Sequence, residues 1–187
     1  LRAVPSLGRL MPWLNPQWGI SAPPGLPRLF DIYVRSIHHE CNNPVCKWAS
    51  FTYGSGFPTL WSHANLDAAT HDWIAGQFAH VPMTFFRQMS ASIRAGHLVS
   101  TGEFAQLPRS VVEAAPRSDA RIVLLAGTDN ACFLPEAQGR SFDFLDAHAP
   151  GRHSLVPLAG YGHLDVFIGK DAPRDVFPLI VEEFRKG

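Results

Sequence analysis

The sequence predicts an α/β chain in two regions: a helical stretch over residues 1–108, then strand–helix–strand–helix over 109–187. Three observations predict it. Before residue 108, apolar residues recur at spacings of three and four, as on one buried helix face. After it, RIVLLAG (121–127) and HSLVPLAG (153–160) are short apolar runs closed by glycine, which fit buried parallel strands. Each run also ends in a polar turn, one presenting Asp129 and the other His163, at strand carboxyl ends where open α/β sheets hold their sites.

The elements follow in order. Residues 1–28 contain six prolines (5, 12, 16, 23, 24 and 27), which forbid a long regular element and leave extended chain or short turns. LPRLFDIYVRSIHH then aligns Leu26, Leu29, Phe30, Tyr33, Val34 and Ile37 as one apolar helix face. From Pro44 to Val99 the pattern stays helical but broken. LDAATHDWIAGQF offers Leu66, Ala69, Trp73 and Phe78 to one side. VPMTFFRQMSASIRAGHLV repeats Phe85, Met89 and Ile93 at i+4, with Pro82 in the first turn and Gly96 as a stop. Between the strands, PEAQGRSFDFLDAHA starts on proline and reads as a helix. A final helix opens at Asp171 and Pro173 and carries Val176, Phe177, Ile180 and Phe184. The order implies a right-handed parallel crossover, and two strands are fewer than a stable parallel sheet needs.

Composition excludes several classes. Sixteen basic and 16 acidic residues balance to zero net charge, so nothing draws the chain to nucleic acid or anionic membrane. At 187 residues and 46% hydrophobic, a globular domain could bury roughly 70% of its unfolded surface. No apolar run approaches the ~20 residues of a membrane span, and no basic segment leads into an apolar one at the start. Three cysteines are too few for a disulfide scaffold, which makes a reducing, cytoplasmic setting the expectation. A chain that begins at Leu1 reads as one cut from a longer protein.

His163 lies in AGYGHLD, where Gly160 and Gly162 allow a sharp turn. An imidazole there can take a proton from a hydroxyl if its other nitrogen is held by an acceptor; the alternative is a loop histidine beside turn-forming glycines. Asp129 stands where a carboxylate could be that acceptor. In Gly127-Thr128-Asp129-Asn130, however, the acid comes one residue before the usual G-x-x-D position and Asn130 occupies it, so a turn residue of the Asx type remains an alternative. Asp143 and Asp146 belong on a solvated helix face. Asp165 could orient the loop, although capping the next helical turn is the commoner role. HHECNNPVC (38–46) gathers two histidines, Glu40, Cys41 and Cys46, but no second cysteine pair follows and His63, His71 and His80 show no ligand period, so no metal is expected. YGSGF puts Ser55 between glycines without the five-residue spacing of a nucleophile elbow or a strand before it.

HLDVFIGKDAPRDVFPLIVEEF resembles the C-terminal motif of the acid-lipase branch of α/β-hydrolases, and NLDAATHDWIAGQFAHVPMTFFRQMSASIRAG is similar to that branch's cap. GTDNACFLPE with GYGHLDVF resembles more closely the bacterial hydrolase modules associated with cholesterol-oxidase-like flavoproteins, in which an acidic residue precedes Asn in this turn. The resemblance implies the C-terminal part of an α/β-hydrolase fold: a helical cap over 1–108, then the last two parallel strands with flanking helices. It implies a serine hydrolase acting on small apolar carboxylic esters, with His163 as catalytic histidine, Asp129 as triad acid, and no cofactor or metal. The nucleophile and oxyanion hole would lie on sequence upstream, and fusion to or association with a flavin oxidoreductase is a further implication. Trp61, Trp73, Phe78, Phe85, Phe86 and Met89 would wall an apolar pocket. A competing reading is a non-catalytic relative or interaction module that kept the cap. The 187-residue chain alone is expected to be inactive and poorly folded.

Overall fold

In a computed structural model of the chain, residues 11–39, 41–54, 59–102 and 106–186 are described. Ser55 and Glu40 lie outside them. The architecture is mixed α/β: helices with one small antiparallel and one small parallel sheet. Among the described residues no helix is long and apolar enough to cross a membrane.

The chain divides into two compact units. The first comprises Leu1–Asn15 and His80–Asp119, the second Pro16–Ala79 and Ala120–Gly187. In the first, β1 (Trp13–Leu14) pairs antiparallel with β2 (Val81–Pro82), which leads into helix α4 (Met83–Ala95). Gly96, at φ +76°, ends that helix in the left-handed conformation expected of it. The buried face differs from the expected one. Met83, Phe86, Ser90 and Ser92 are buried, whereas Phe85 and Ile93 are exposed. Polar contacts turn the helix this way: Ser92 Oγ accepts from Val99 N, Gln88 donates to Val99 O, and Val99 forms a β-bridge with Ser110.

The second unit begins with a 3₁₀ turn at Pro16–Gly19, followed by α1 (Leu26–Ile37) and α2 (Pro44–Tyr53). Helix α1 forms where its spacing predicts, but Leu29, Tyr33 and Ile37 are exposed and Asp31 is buried beside Val34. The Asp31 carboxylate accepts from Trp48 Nε1 at 3.1 Å, Arg35 Nε at 3.0 Å and Arg28 at 3.2 Å. This charge-assisted network, rather than the apolar stripe, fixes which side of the helix faces inward. Helix α2 is capped by Asn43, whose Oδ1 accepts from Val45 N and Cys46 N, and it buries Val45, Cys46, Trp48 and Ala49. A 3₁₀ turn at His63–Asn65 and α3 (Ala68–Ile74) complete this half. Ile74 enters the core while Trp73 is exposed.

The expected strands both form. β3 (Val123–Gly127) and β4 (Ser154–Leu158) pair in parallel with Leu125 opposite Val156 and Gly127 opposite Leu158. They are joined through α5 (Pro135–His148), with Pro135 in the first turn. Beyond β4 lie α6 (Asp165–Ile168), α7 (Ala172–Asp175) and α8 (Phe177–Lys186). The single final helix expected from Asp171 is thus broken at Val176. Pro178 has no N–H to continue the hydrogen-bond ladder, which ends α7 and restarts the helix at Phe177. Leu158, Tyr161, Val166, Ala172 and Val176 form one core cluster, with Leu125, Val156, Leu179 and Ile180 against it. Phe184 points to solvent, 81% exposed.

Candidate functional site

Two turns meet at the carboxyl ends of β3 and β4. Asp129 N donates to Tyr161 O at 2.9 Å and Thr128 N to Leu158 O at 3.0 Å, while Thr128 Oγ1 accepts from Gly160 N at 2.9 Å. Gly160 sits at φ +76°, which lets the chain reverse after β4. Gly127 has a different reason to lack a side chain: a Cβ there would run into the carbonyl oxygens of Tyr161 and Gly162. These glycines make the close approach of the two turns possible.

His163 is half-buried and in contact with the Phe133 ring, centroids 5.1 Å apart. Its Nδ1 lies 3.3 Å from Asn130 Nδ2. Asn130 Oδ1 accepts from Cys132 N at 3.0 Å and Phe133 N at 2.9 Å, which fixes the amide orientation and leaves its NH₂ facing the imidazole. An NH₂ can only donate, so Nδ1 accepts and the ring proton sits on Nε2. Asp129, the expected acid, is exposed, and its carboxylate accepts from Thr128 Oγ1 at 3.1 Å. The Asx-type turn considered for Asp129 is made by Asn130. Asp143 is on α5, the helix expected to solvate it, and is exposed.

Asp165 orients the loop and does not cap the helix as expected: it is the first residue of α6, whose N-cap position, Leu164, makes no side-chain cap bond. Asp165 is fully buried; its carboxylate accepts from Gly162 N at 3.0 Å and from Asn65 Nδ2 at 2.6 Å. Asn65 also donates to Gly160 O, and its own carbonyl accepts from Lys170 N. Leu164 N donates to Leu60 O at 2.7 Å. The loop bearing His163 is thereby seated on segment 60–65. Burial pushes the His163 pKa below its ordinary value, with the Asp165 charge acting in the opposite direction.

A second cluster includes Leu60 and Trp61 of the segment on which the His163 loop is seated. Cys46, Ala49, Leu60, Trp61, Leu66 and Ile74 form a buried cluster, with Cys41, Phe78, Cys132 and Leu164 packed on it. At its edge, Cys41 Sγ, Cys46 Sγ and one ring nitrogen each of His63 and His71 lie within 4.8 Å of one another. Cys46 Sγ is 3.3 Å from His63 Nε2, which is 3.2 Å from His71 Nε2. The hydrogen bond with Cys46 holds the Cys41 thiol down at about 5 against the effect of burial, helped by the Asn43 backbone and the two imidazoles. His63 and His71 converge on the two cysteines although their spacing follows no ligand period, contrary to the expectation of no metal-ligating set. The available signal was Cys-x₄-Cys followed by two histidines, the first on the 3₁₀ turn and the second in α3.

Of the residues expected to wall a pocket, Trp61 and Phe86 are buried in the cores of their respective units, and Trp73 and Phe85 are exposed. Compared with protein-family models, with curated proteins and with solved structures, the chain matches none.

Proposed function

We propose that this chain is the acid-and-histidine portion of a serine hydrolase of the α/β-hydrolase type, acting on carboxylic esters with an apolar acyl or alcohol part. The observation that carries the reading is the joining of two turns, one with Asp129 and one with His163, at the carboxyl ends of register-paired parallel strands. In the reaction, a serine outside these 187 residues attacks the ester carbonyl. His163 Nε2 takes its proton and later delivers it to the leaving alkoxide. That role requires a proton on Nδ1, and hence an acceptor there. Asn130 cannot supply one while its oxygen is committed to two backbone donors. We assign that acceptor to Asp129, the residue before Asn130, whose own N–H is tethered to Tyr161 O; in the working state its side chain replaces the Asn130 amide beside Nδ1.

The Asn130–His163 contact favours a second reading, a non-catalytic relative in which the amide holds the histidine in the unproductive tautomer. A phosphonate probe for activated serines, applied to the full-length protein, separates the two. Labelling that disappears in His163→Ala while the fold persists supports the hydrolase; a folded protein that never labels supports the alternative.

A further inference from the structure

We propose that Cys41, Cys46, His63 and His71 form a structural Zn²⁺ site that fastens the start of α2 to the segment on which the His163 loop is seated. The four donors fit the ion in number, kind and spacing. Two thiolates and two imidazoles are a common donor set of closed, tetrahedral zinc sites. Bonds of about 2.3 Å to sulfur and about 2.0–2.1 Å to nitrogen give a tetrahedron with edges of roughly 3.3–3.8 Å. The observed separations of 3.3 Å for Cys46–His63 and 3.2 Å for His63–His71 are at or just below the short end of that range, with all four donors within 4.8 Å of one another. Zn²⁺ with two thiolates and two neutral imidazoles makes a neutral centre, which suits an edge-of-core position.

The surroundings are already ordered around these donors. Asn43, between the two cysteines, caps α2 with its oxygen and donates Nδ2 to His71 O at 3.0 Å, so the cysteine and histidine segments are tied independently of any ion. His63 and Asn65 bound the same 3₁₀ turn, and Asn65 holds Asp165 and Gly160. The ion therefore closes a loop that ends two residues from the group that positions the His163 turn. Catalytic zinc sites keep three protein ligands and an open fourth position, whereas four donors fill the tetrahedron here, and among the described residues no further one joins the cluster. This inference does not rest on the hydrolase reading.

The test is metal analysis of the full-length protein purified under reducing conditions without chelator. About one zinc per chain is expected, falling to a small fraction in Cys46→Ser and His71→Ala and unchanged in His148→Ala, whose imidazole bonds Phe144 O on α5. Because the ligand variants could fail to fold, Co²⁺ exchange into the unsubstituted protein is the second measurement. Intense tetrahedral ligand-field bands and a thiolate-to-cobalt charge-transfer band are expected. Three results overturn the proposal: no retained zinc after incubation with Zn²⁺ and desalting, a Cys41–Cys46 disulfide in the isolated protein, or cobalt spectra without thiolate character.

Discussion

His163 and the pair His63 and His71, all in the second unit, are arranged in contrasting ways. His163 sits in a contiguous motif, held by backbone hydrogen bonds between neighbouring turns, and its imidazole meets one neutral amide. His63 and His71 belong to no motif, yet they converge with Cys41 and Cys46 into a set of four donors. The difference teaches that local sequence organisation and chemical completeness are separate properties. The motif fixes where a histidine stands, while its partners decide what it can do.

The largest expected effect tests the incomplete member of the pair. On the proposed hydrolase reading, Asp129→Asn in the full-length protein should lower kcat on the order of 10⁴-fold, because no carboxylate is then left to hold a proton on His163 Nδ1. Asn130→Ala should leave kcat within about tenfold while lowering stability by about 1–2 kcal/mol through the loss of its Asx-turn bonds. The reverse ranking would make Asn130, not Asp129, the residue that governs His163.

Next comes the close approach of the two turns. Gly127→Val drives a side chain into the carbonyls of Tyr161 and Gly162 and should cost about 3 kcal/mol, an overpacking penalty. The Tm should fall by about 5–10 °C, read by calorimetry. An unchanged Tm would mean that the turns are not held together as described.

Asn65→Ala probes the link between the two histidine arrangements. It removes a donor from the buried Asp165 carboxylate and should destabilise by about 1–3 kcal/mol in denaturant titration. If zinc content is retained while activity falls, the two regions are coupled in one direction only, through loop position.

The smallest effect is one of pH. Burial lowers the folded-state pKa of His163, so between that lowered value and the ordinary ~6.5 the unfolded chain binds more protons than the folded one. The full stability is present above the ordinary value and declines as pH falls through this window. His163→Gln should flatten the dependence; a slope unchanged in that variant would assign it to another group.

The two parallel strands, the Pro135 helix and the stop at Gly96 were legible because each rests on a contiguous pattern or a single residue with one strong conformational preference, whereas the two-residue strands β1 and β2 carry no such pattern. Helix faces were less so. In α1 the pattern pointed to Leu29 and Tyr33, but a buried carboxylate with Trp48 and two arginines outweighed it, and hydrophobic periodicity does not register such an anchor. The break at Val176 was readable from Pro178 and was obscured by the continuous apolar spacing on either side. At the site, the positions of His163 and Asp129 could be read, but the amide orientation of Asn130 depends on two backbone N–H groups whose placement is a property of the folded turn. The Asp165–Asn65 bond and the Cys/His cluster join residues too distant in sequence for any local period to connect them.

Asn65 and Asp165 stand 100 residues apart, and that interval has a kinetic meaning. At synthesis rates of about 5–20 residues per second, segment 60–65 leaves the ribosome roughly 5–20 s before its partner exists. Helix and turn formation take microseconds. The N-terminal seat of the histidine loop can thus order well before the loop arrives, and the loop docks onto an existing surface. Closing so long an interval is slow relative to local folding, and the His163 turn is expected to be among the last parts of this unit to acquire protection during refolding.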